Sequence, residues 1–277
     1  MKLMRGTLSR SFAVSLLATL ASAGTLFAHD FFFRPDSFFT TAGATVVLRA
    51  LNGTFSTSEN SITRDRLRDL SVVSSRGRDH PDTSLWSSSG DTSTLTVRAN
   101  GSGTYVIGAS LKPRQITLTA KDFNQYLADD GIPDVLVARK QSGLLDRNAT
   151  ERYSKHIKAI IQVGPTRTGD YSAVLGYPAE IIPLDNPYSL KPGSTLKIRA
   201  MVDGKAVANQ LVVSGGRTPS GGRFKEARIR TDASGVARVK ITAAGHWYVK
   251  FIHMVPFRGP EQIDYESKWA TLTFGIR

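Results

Sequence analysis

Cysteine is absent from all 277 residues of the sequence. Its absence excludes disulfide bonds, thiolate metal ligands, a cysteine nucleophile and lipid attachment at a lipobox cysteine. The chain therefore has to be stabilised by its hydrophobic core. Roughly 250 residues beyond an N-terminal signal are enough for one large domain or two small ones.

Long apolar runs are also missing. The run from Phe12 to Leu20 covers only about nine residues, whereas a membrane-spanning helix needs roughly 20. Basic residues precede this run and small residues follow it, which is the pattern of a secretory signal. The sequence predicts a cleaved signal peptide over residues 1–28 and a periplasmic mature protein without a membrane span.

Two cleavage sites compete at the end of this signal. Cleavage after Ala23 fits the small-x-small rule better and leaves Gly24 first, whereas cleavage after Ala28 leaves His29 first. In the second case His29 would carry a free α-amine beside its imidazole, which makes a compact chelating pair for a transition metal. The residues of the signal leave both sites open.

An acidic excess is lacking as well, because the formal charge is +13. Residues 1–28 contain three basic and no acidic residues, so the mature chain carries 13 − 3 = +10. The charges are scattered, and the tightest cluster is Arg64, Arg66 and Arg68, flanked by Asp65 and Asp69. Since no basic block with interleaved aromatic residues exists, we expect a solvated basic surface and no nucleic-acid binding.

From Phe31 onward the sequence consists of short β-rich runs separated by turn residues. Residues 120–128 break the series with apolar residues at helical spacing, and a second short helix is expected over residues 135–139. Residues 76–91 and 214–222 are predicted to be loops, and residues 148–155 a polar link. The predicted strands cover residues 44–51, 70–73, 93–98, 103–109, 115–119 and 157–163, and then 178–183, 195–202, 209–214, 224–231, 236–242, 245–253 and 268–274.

This pattern predicts a mainly β fold with two β-sandwich domains of the immunoglobulin or transthyretin type. The first domain covers residues 29–164 and contains the short helical insert. The second covers residues 170–277, and the segment 164–169, which is rich in Gly and Thr, is predicted to be the linker between them.

Histidine is scarce, with five in the whole chain, and none lies in a helical metal-binding pair or another local metal motif. A metal site would therefore have to be assembled across strands. His29 opens the first strand and His253 lies at a strand end, where functional groups tend to occur. Asp30, Asp264 and Glu266 are the carboxylates nearest to them in sequence.

The other three histidines have simpler interpretations. His80 lies in a polar loop and is expected to be solvated, and His156 lies among lysines and is expected on the surface. His246 is expected to pack beside Trp247. It lies seven residues before His253, and an odd separation along a strand puts these two side chains on opposite faces.

Sequence patterns of enzymes are weak. No Gly-x-Ser-x-Gly elbow occurs, and the Gly/Ser-rich loop near residue 215 lacks the Lys-Ser/Thr ending of a phosphate-binding loop. Asp129 and Asp130 are expected to be solvated at a helix end. Trp247 and Trp269 fit a sandwich core better than a sugar-stacking platform. We therefore expect a protein without enzymatic activity.

Several separate motifs are spread over nearly the whole mature chain. They are the opening Ala28-His-Asp-Phe, the segments 151–159 and 180–188, the turns Asp203-Gly-Lys and Thr231-Asp-Ala-Ser-Gly, and the ending over residues 245–253 and 265–274. Together these motifs resemble a bacterial periplasmic family of unknown function, described as NikM-like and associated with nickel or cobalt uptake.

This resemblance implies cleavage just before His29 and an exported metal-binding protein that assists nickel or cobalt uptake. The implied ligands are His29, His253 and Glu266, the ion is nickel, cobalt or copper, and a membrane transporter component is a possible partner. The alternative is a non-catalytic β-sandwich module that binds a glycan, a peptide or a protein. A third possibility is a copper oxidase that acts on polysaccharide through an amino-terminal histidine brace.

Overall fold

The computed structural model describes residues 29–277. The predicted signal peptide, residues 1–28, lies outside the described residues. Within the described part of the chain, no helix is both long and apolar enough to cross a membrane.

The first half of the described chain contains ten strands and both α-helices. The helices are α1 (Ala120–Asp129) and α2 (Pro133–Gln141). The strands are β1 (Asp30–Pro35), β2 (Phe39–Thr40), β3 (Thr45–Gly53), β4 (Leu67–Ser74), β5 (Gly77–Asp79), β6 (Trp86–Ser89), β7 (Thr92–Arg98), β8 (Gly103–Leu111), β9 (Arg114–Leu118) and β10 (Ala149–Val163).

The second half contains strands only, apart from short 3₁₀ turns. These strands are β11 (Ala179–Pro183), β12 (Thr195–Val202), β13 (Lys205–Ala206), β14 (Leu211–Arg217), β15 (Ala227–Arg230), β16 (Val236–Lys240), β17 (Gly245–Pro256) and β18 (Tyr265–Ile276). The mainly β fold class and the β-sandwich architecture are confirmed.

Three sheets make up the architecture. The central sheet has ten strands, eight of them in the order β15-β14-β17-β18-β10-β8-β4-β5, with β2 and β9 added beside β10. A four-stranded sheet, β1-β3-β7-β6, packs on one face of it. A second four-stranded sheet, built from β11, β12, β13 and β16, packs on the other face.

Cross-strand register separates the side chains of the central sheet onto these two faces. Lys155 pairs with Trp269, so their side chains lie on the same face of the sheet. This face is covered by β1 and α1: Lys155 donates to the carbonyl of His29 just before β1, and Tyr126 of α1 stacks on Trp269 with ring centroids 5.9 Å apart. We call this the helix face. Lys158 points the opposite way, toward Glu180 of β11, and we call that side the linker face because segment 164–178 crosses it.

The central sheet runs across the predicted boundary at residues 164–170. β10, from the first predicted domain, pairs in parallel with β18, from the second, over nine residue pairs. The first and last strands are also joined, because Thr271 donates to the carbonyl of Phe31 and Thr273 to that of Phe33. One continuous hydrophobic core contains residues from both halves.

The helical insert is where the sequence predicts it. The Thr119 side chain caps α1 by accepting from the backbone N–H of Asp122, as an N-cap residue does. Phe123 and Tyr126 turn inward onto the helix face, where Phe123 stacks on Tyr265 of β18. The insert therefore closes one end of the sandwich over β18.

Three local predictions are wrong. Residues 148–155 are not a link, because they form the first half of the long strand β10. The segment 76–91 contains β5 and β6, and it places Trp86 in the core with no exposed surface. The predicted loop 214–222 begins as strand, since β14 continues to Arg217. In each case tertiary pairing overrides a polar or Ser-rich local sequence.

Candidate functional site

A half-open cavity of about 450 Å³ lies beside the start of β1, on the helix face of the central sheet. His29 and Asp30 form its floor together with Phe32. The loop after β3 contributes Glu59, and the end of α1 contributes Asp130. Strands β14 and β17 and the segment between β14 and β15 complete the wall with Arg217, Arg223, Phe224, Glu226 and Tyr248.

His29 and Glu59 form a polar pair in this cavity. His29 Nε2 lies 3.2 Å from Glu59 Oε2, and the Glu59 side chain is about half exposed whereas the His29 side chain is largely covered. Burial is the main cause that lowers the pKa of His29; Lys155 lowers it further, and Glu59 opposes the shift. The imidazole is therefore neutral at pH 7 and keeps a lone pair for a ligand.

The backbone around His29 is held by a buried lysine. Lys155 Nζ donates to the carbonyl of His29 and to Oδ1 of Asn52, 3.0 Å away. Burial lowers the pKa of Lys155 to about 8, although Asp30, Asp130 and Glu151 act in the opposite direction. A charged donor under the first residue of the site fixes its position relative to β10.

A second buried ion pair lies next to it. Lys250 of β17 binds Oδ2 of Asp30, while Oδ1 of Asp30 is buried without a hydrogen-bond partner. Burial alone would lower the pKa of Lys250, but Asp30 and Asp130 outweigh it and raise the pKa. Burial, with the charge of Asp30 added, raises the pKa of Asp130 to about 7. The floor thus holds opposite charges in a poorly solvated layer.

The structure does not form the expected site of His29, His253 and Glu266. His253 Nδ1 lies 3.0 Å from Oε1 of Gln210, and it pairs across the sheet with Lys268, whose side chain is on the linker face. His29 lies on the helix face, so the ten-stranded sheet separates the two histidines.

Glu266 is already engaged elsewhere. Its Oε1 accepts from Arg152 at 2.8 Å, and its Oε2 lies 3.7 Å from Lys268. Over residues 29–277, no group of three or more His, Asp or Glu side chains is arranged to hold a metal ion. The structure thus does not bring His29, His253 and Glu266 together, and Glu59 is the ligand-type residue that lies beside His29.

The remaining histidines differ in how they match expectation. His156 is not on the surface: it is 2% exposed, and its two ring nitrogens contact Ser110 at 2.8 Å and Ser154 at 3.0 Å. Burial lowers its pKa to about 3. His80 is largely exposed, as expected, and pairs with Asp69 at 2.8 Å. His246 packs edge-on against Phe38.

The sequence profile of a domain family matches residues 26–255, which includes every strand of the structure up to most of β17. Its description is a domain of unknown function, DUF4198. The chain belongs to this family. No curated protein matches the chain in sequence, so the family assignment of this DUF4198 chain carries no assigned activity with it.

Solved structures similar to this DUF4198 chain are remote. A tetra-tandem repeat from the extending region of a large adhesion protein is 12% identical, with a TM-score of 0.23, and the match covers 89% of this chain and 49% of that one. The chain thus spans about half the length of that protein. A two-domain fibronectin type III segment from chicken tenascin is 13% identical, with a TM-score of 0.20, over 86% of this chain and 95% of that one. Trypsin-activated alpha-2-macroglobulin from Escherichia coli is 11% identical, with a TM-score of 0.22, and the match covers 91% of this chain and 16% of that one.

Sequence reasoning identified two candidate residues of the cavity, His29 and Asp30, and missed most of the others. Glu59 and Asp130 lie in a loop and at a helix end, where nothing local indicates that they face His29. Lys250 did give a signal, because it interrupts the apolar run from Trp247 to Ile252. A buried lysine is rare without a partner, so this position predicts a buried carboxylate near β17 of this DUF4198 chain.

Proposed function

We propose that this protein is exported and binds a transition-metal ion, nickel, cobalt or copper, as an accessory to metal uptake. The single observation that carries the proposal is the 3.2 Å separation of His29 Nε2 and Glu59 Oε2 in the cavity. A nitrogen atom and an oxygen atom that bind the same ion, each at about 2.0–2.2 Å, lie about 3.0–3.4 Å from each other when the ligand–metal–ligand angle is between about 90° and 109°. This separation is therefore compatible with both atoms binding the same ion.

The surroundings of this pair support a cation as the ligand. Four carboxyl side chains line the cavity, those of Asp30, Glu59, Asp130 and Glu226, against the two guanidinium groups of Arg217 and Arg223. The lowered pKa of His29 leaves its imidazole unprotonated at neutral pH. Imidazole and carboxylate together suit nickel, cobalt and copper in their divalent states. We further propose cleavage before His29, which would add its α-amine as a third donor, and transfer of the ion to a membrane transporter component.

Metal titration of the purified mature protein tests this proposal. The intact mass first establishes whether His29 is the first residue, and calorimetry then measures the affinity for Ni²⁺, Co²⁺ and Cu²⁺. We expect His29→Ala and Glu59→Gln each to weaken binding by about tenfold or more, since each removes one ligand. His253→Ala is the matched control, because it removes a half-buried histidine from the other face of the sheet. Wild-type affinity in His29→Ala would overturn the proposal.

A non-catalytic binding role for an organic ligand is the second candidate function. It is favoured by the cavity volume of about 450 Å³, which lies within the range of roughly 300–1,000 Å³ for ligand pockets. Its aromatic wall also favours it, since Phe32, Phe55 and Tyr248 pack against one another with ring centroids 5.0–5.4 Å apart. Ligand binding that persists in the presence of a chelator, and that is lost in Tyr248→Ala, would support this role over metal binding.

A further inference from the structure

A second cavity, of about 240 Å³, lies on the helix face on the other side of Lys155 from the His29 site. It opens between the segment 60–66 and the strands β8, β9 and β10. Three cationic side chains line it, Arg66, Arg114 and Lys155, together with the neutral polar side chains of Asn60 and Tyr153. No aspartate or glutamate of the described chain is among its lining residues.

The fold brings these three cations together. Arg114 of β9 pairs across the sheet with Tyr153 of β10, and Lys155 follows two residues later on the same face. Arg66 comes from the 3₁₀ turn before β4, and Nη2 of its guanidinium donates to the carbonyl of Lys112, 3.1 Å away. The backbone N–H of Lys112 donates in return to the carbonyl of Arg66 at 2.8 Å. Arg66 is therefore fixed in place on the cavity wall.

Two of these cations are buried and have unused donors. Arg66 and Lys155 are each only 8% exposed. Nε of Arg66 is buried without a hydrogen-bond partner. Lys155 uses two donors, to His29 and Asn52, and an ammonium has three. Leaving a buried charged donor unsatisfied is costly, so the arrangement lacks an acceptor.

The electrostatics support the same conclusion. Burial is the main cause that lowers the pKa of Arg66, and the charge of Arg114 lowers it further, whereas Tyr153 and Asp65 oppose the shift. The carboxyls that counter the charge of Lys155, those of Asp30, Asp130 and Glu151, do not line this cavity. Like charges that line one cavity repel each other, and an anion bound between them would reduce that cost.

We propose that this cavity binds a small oxyanion, of which inorganic phosphate and sulfate are the representatives. Guanidinium groups present paired N–H donors that match phosphate and carboxylate oxygens, and Lys155 and Asn60 supply further donors. A volume of about 240 Å³ is below the roughly 300 Å³ at which pockets for drug-sized ligands begin. The size therefore selects the free anion over a nucleotide or an oligosaccharide. This site does not depend on metal binding at His29.

Calorimetric titration of the wild-type mature protein with inorganic phosphate and with sulfate, at low ionic strength, tests the proposal. Sodium chloride of matched ionic strength is the control for charge screening. We expect saturable binding of phosphate or sulfate, and a rise in the thermal unfolding midpoint that chloride does not reproduce. Arg114→Gln, at an exposed position, should retain the fold and weaken the binding by about tenfold, as should Arg66→Gln.

Arg68→Gln is the matched control, because Arg68 belongs to the same arginine cluster in sequence, is exposed and does not line the cavity. Unchanged anion affinity in this variant, with weakened affinity in Arg114→Gln, would establish a specific site. Absence of binding for both anions, or an equal loss in Arg68→Gln and Arg114→Gln, would overturn the proposal. Metal affinity measured in Arg114→Gln should stay at the wild-type value, so that the two proposals can fail separately.

Discussion

Lys158 and Glu180 form an ion pair in the interior of the protein, with Nζ and Oε2 2.5 Å apart. Both side chains are at most 3% exposed. Glu180 also accepts hydrogen bonds from the backbone N–H groups of Leu175, at 2.9 Å, and Tyr177, at 2.6 Å. One carboxylate thus attaches the segment before β11 to β10 on the linker face.

Glu180→Gln should destabilise the protein by about 3–5 kcal/mol, because it leaves the buried ammonium of Lys158 without a counter-charge. Glutamine keeps the shape and one acceptor oxygen for the two backbone donors. Adding Lys158→Met to this variant should recover more than half of the loss, since no charge then remains buried. Urea unfolding of the single and double variants measures both effects, and equal instability of the two would contradict the expectation.

Glu151 makes stability depend on pH through its buried carboxyl. Burial raises its pKa to about 7, although hydrogen bonds from Ser267 and Tyr126 act in the opposite direction. The folded state therefore binds a proton more readily than the unfolded state between about pH 4.5 and 7. Stability from this group increases as the pH falls through that window.

Glu151→Gln removes this titration and nearly preserves the side-chain volume. We expect the difference in unfolding free energy, wild type minus variant, to rise by on the order of 3 kcal/mol as the pH falls from 8 to 4.5. His156 contributes with the opposite sign in both proteins, since its pKa is lowered, and it cancels in the difference. A difference that stays flat with pH in chemical denaturation would contradict the assignment.

Trp86 should be the most sensitive core position in the sheet that contains β1. It has no exposed surface, its ring lies 6.5 Å from Phe31 and 6.1 Å from Phe33, and its Nε1 donates to the carbonyl of Ile62 at 2.7 Å. Trp86→Ala should cost about 3–5 kcal/mol through the cavity it leaves. Trp86→Phe should cost clearly less, because Ser93 still donates to Ile62; thermal or urea unfolding ranks the two.

Gly108 provides space for the segment that crosses the linker face. A Cβ at this position would lie 2.3 Å from Cδ1 of Leu175 and 2.9 Å from the hydroxyl oxygen of Tyr177. Gly108→Ala should therefore destabilise by about 1–3 kcal/mol through overpacking. Gly169→Ala is the matched control, because a Cβ there meets no atom within 4 Å. Equal unfolding midpoints for the two variants would show that the segment can shift freely.

Metal affinity at the proposed His29 site should fall with pH in two stages. An α-amine ordinarily has a pKa of about 7.7–8.0, so protons compete for the proposed α-amine donor already near neutral pH, whereas burial lowers the pKa of the His29 imidazole from its ordinary value of 6.5 and shifts that competition into the acidic range. We expect the Ni²⁺ affinity to decline from about pH 8 and to decline more steeply below about pH 6. Titrations across this range, repeated with His29→Ala, separate this effect from titration of the carboxylates.

The sequence predicted the strands that alternate cleanly. Residues 195–202 form a strand with the predicted bounds, and the helical insert begins at Ala120 as expected. The first half of β10 was missed because its exposed-looking residues, Glu151 and Lys155, are buried in a layer of opposite charges. Local polarity could not predict that burial, because the partners lie far away in sequence.

The candidate site, like the fold, could be predicted only where local sequence is informative. His29 could be selected from its place at the start of the first strand. Its pairing with Glu59 instead of His253 depends on which face of the central sheet β1 covers. The hydrogen bonds from Thr271 and Thr273 to the carbonyls of Phe31 and Phe33 hold β1 on that face, and such contacts between the two ends of the chain are not encoded by alternation within a single strand.

The hydrogen bonds from Thr271 and Thr273 to the carbonyls of Phe31 and Phe33 have a kinetic consequence. They join residues 240 positions apart, and contacts of such long range slow folding because a long loop has to be closed first. While the ribosome still holds the C-terminal segment, β1 lacks the strand onto which it packs. The His29 cavity, which needs β1, β14 and β17 together, therefore forms only after the last strand has been released.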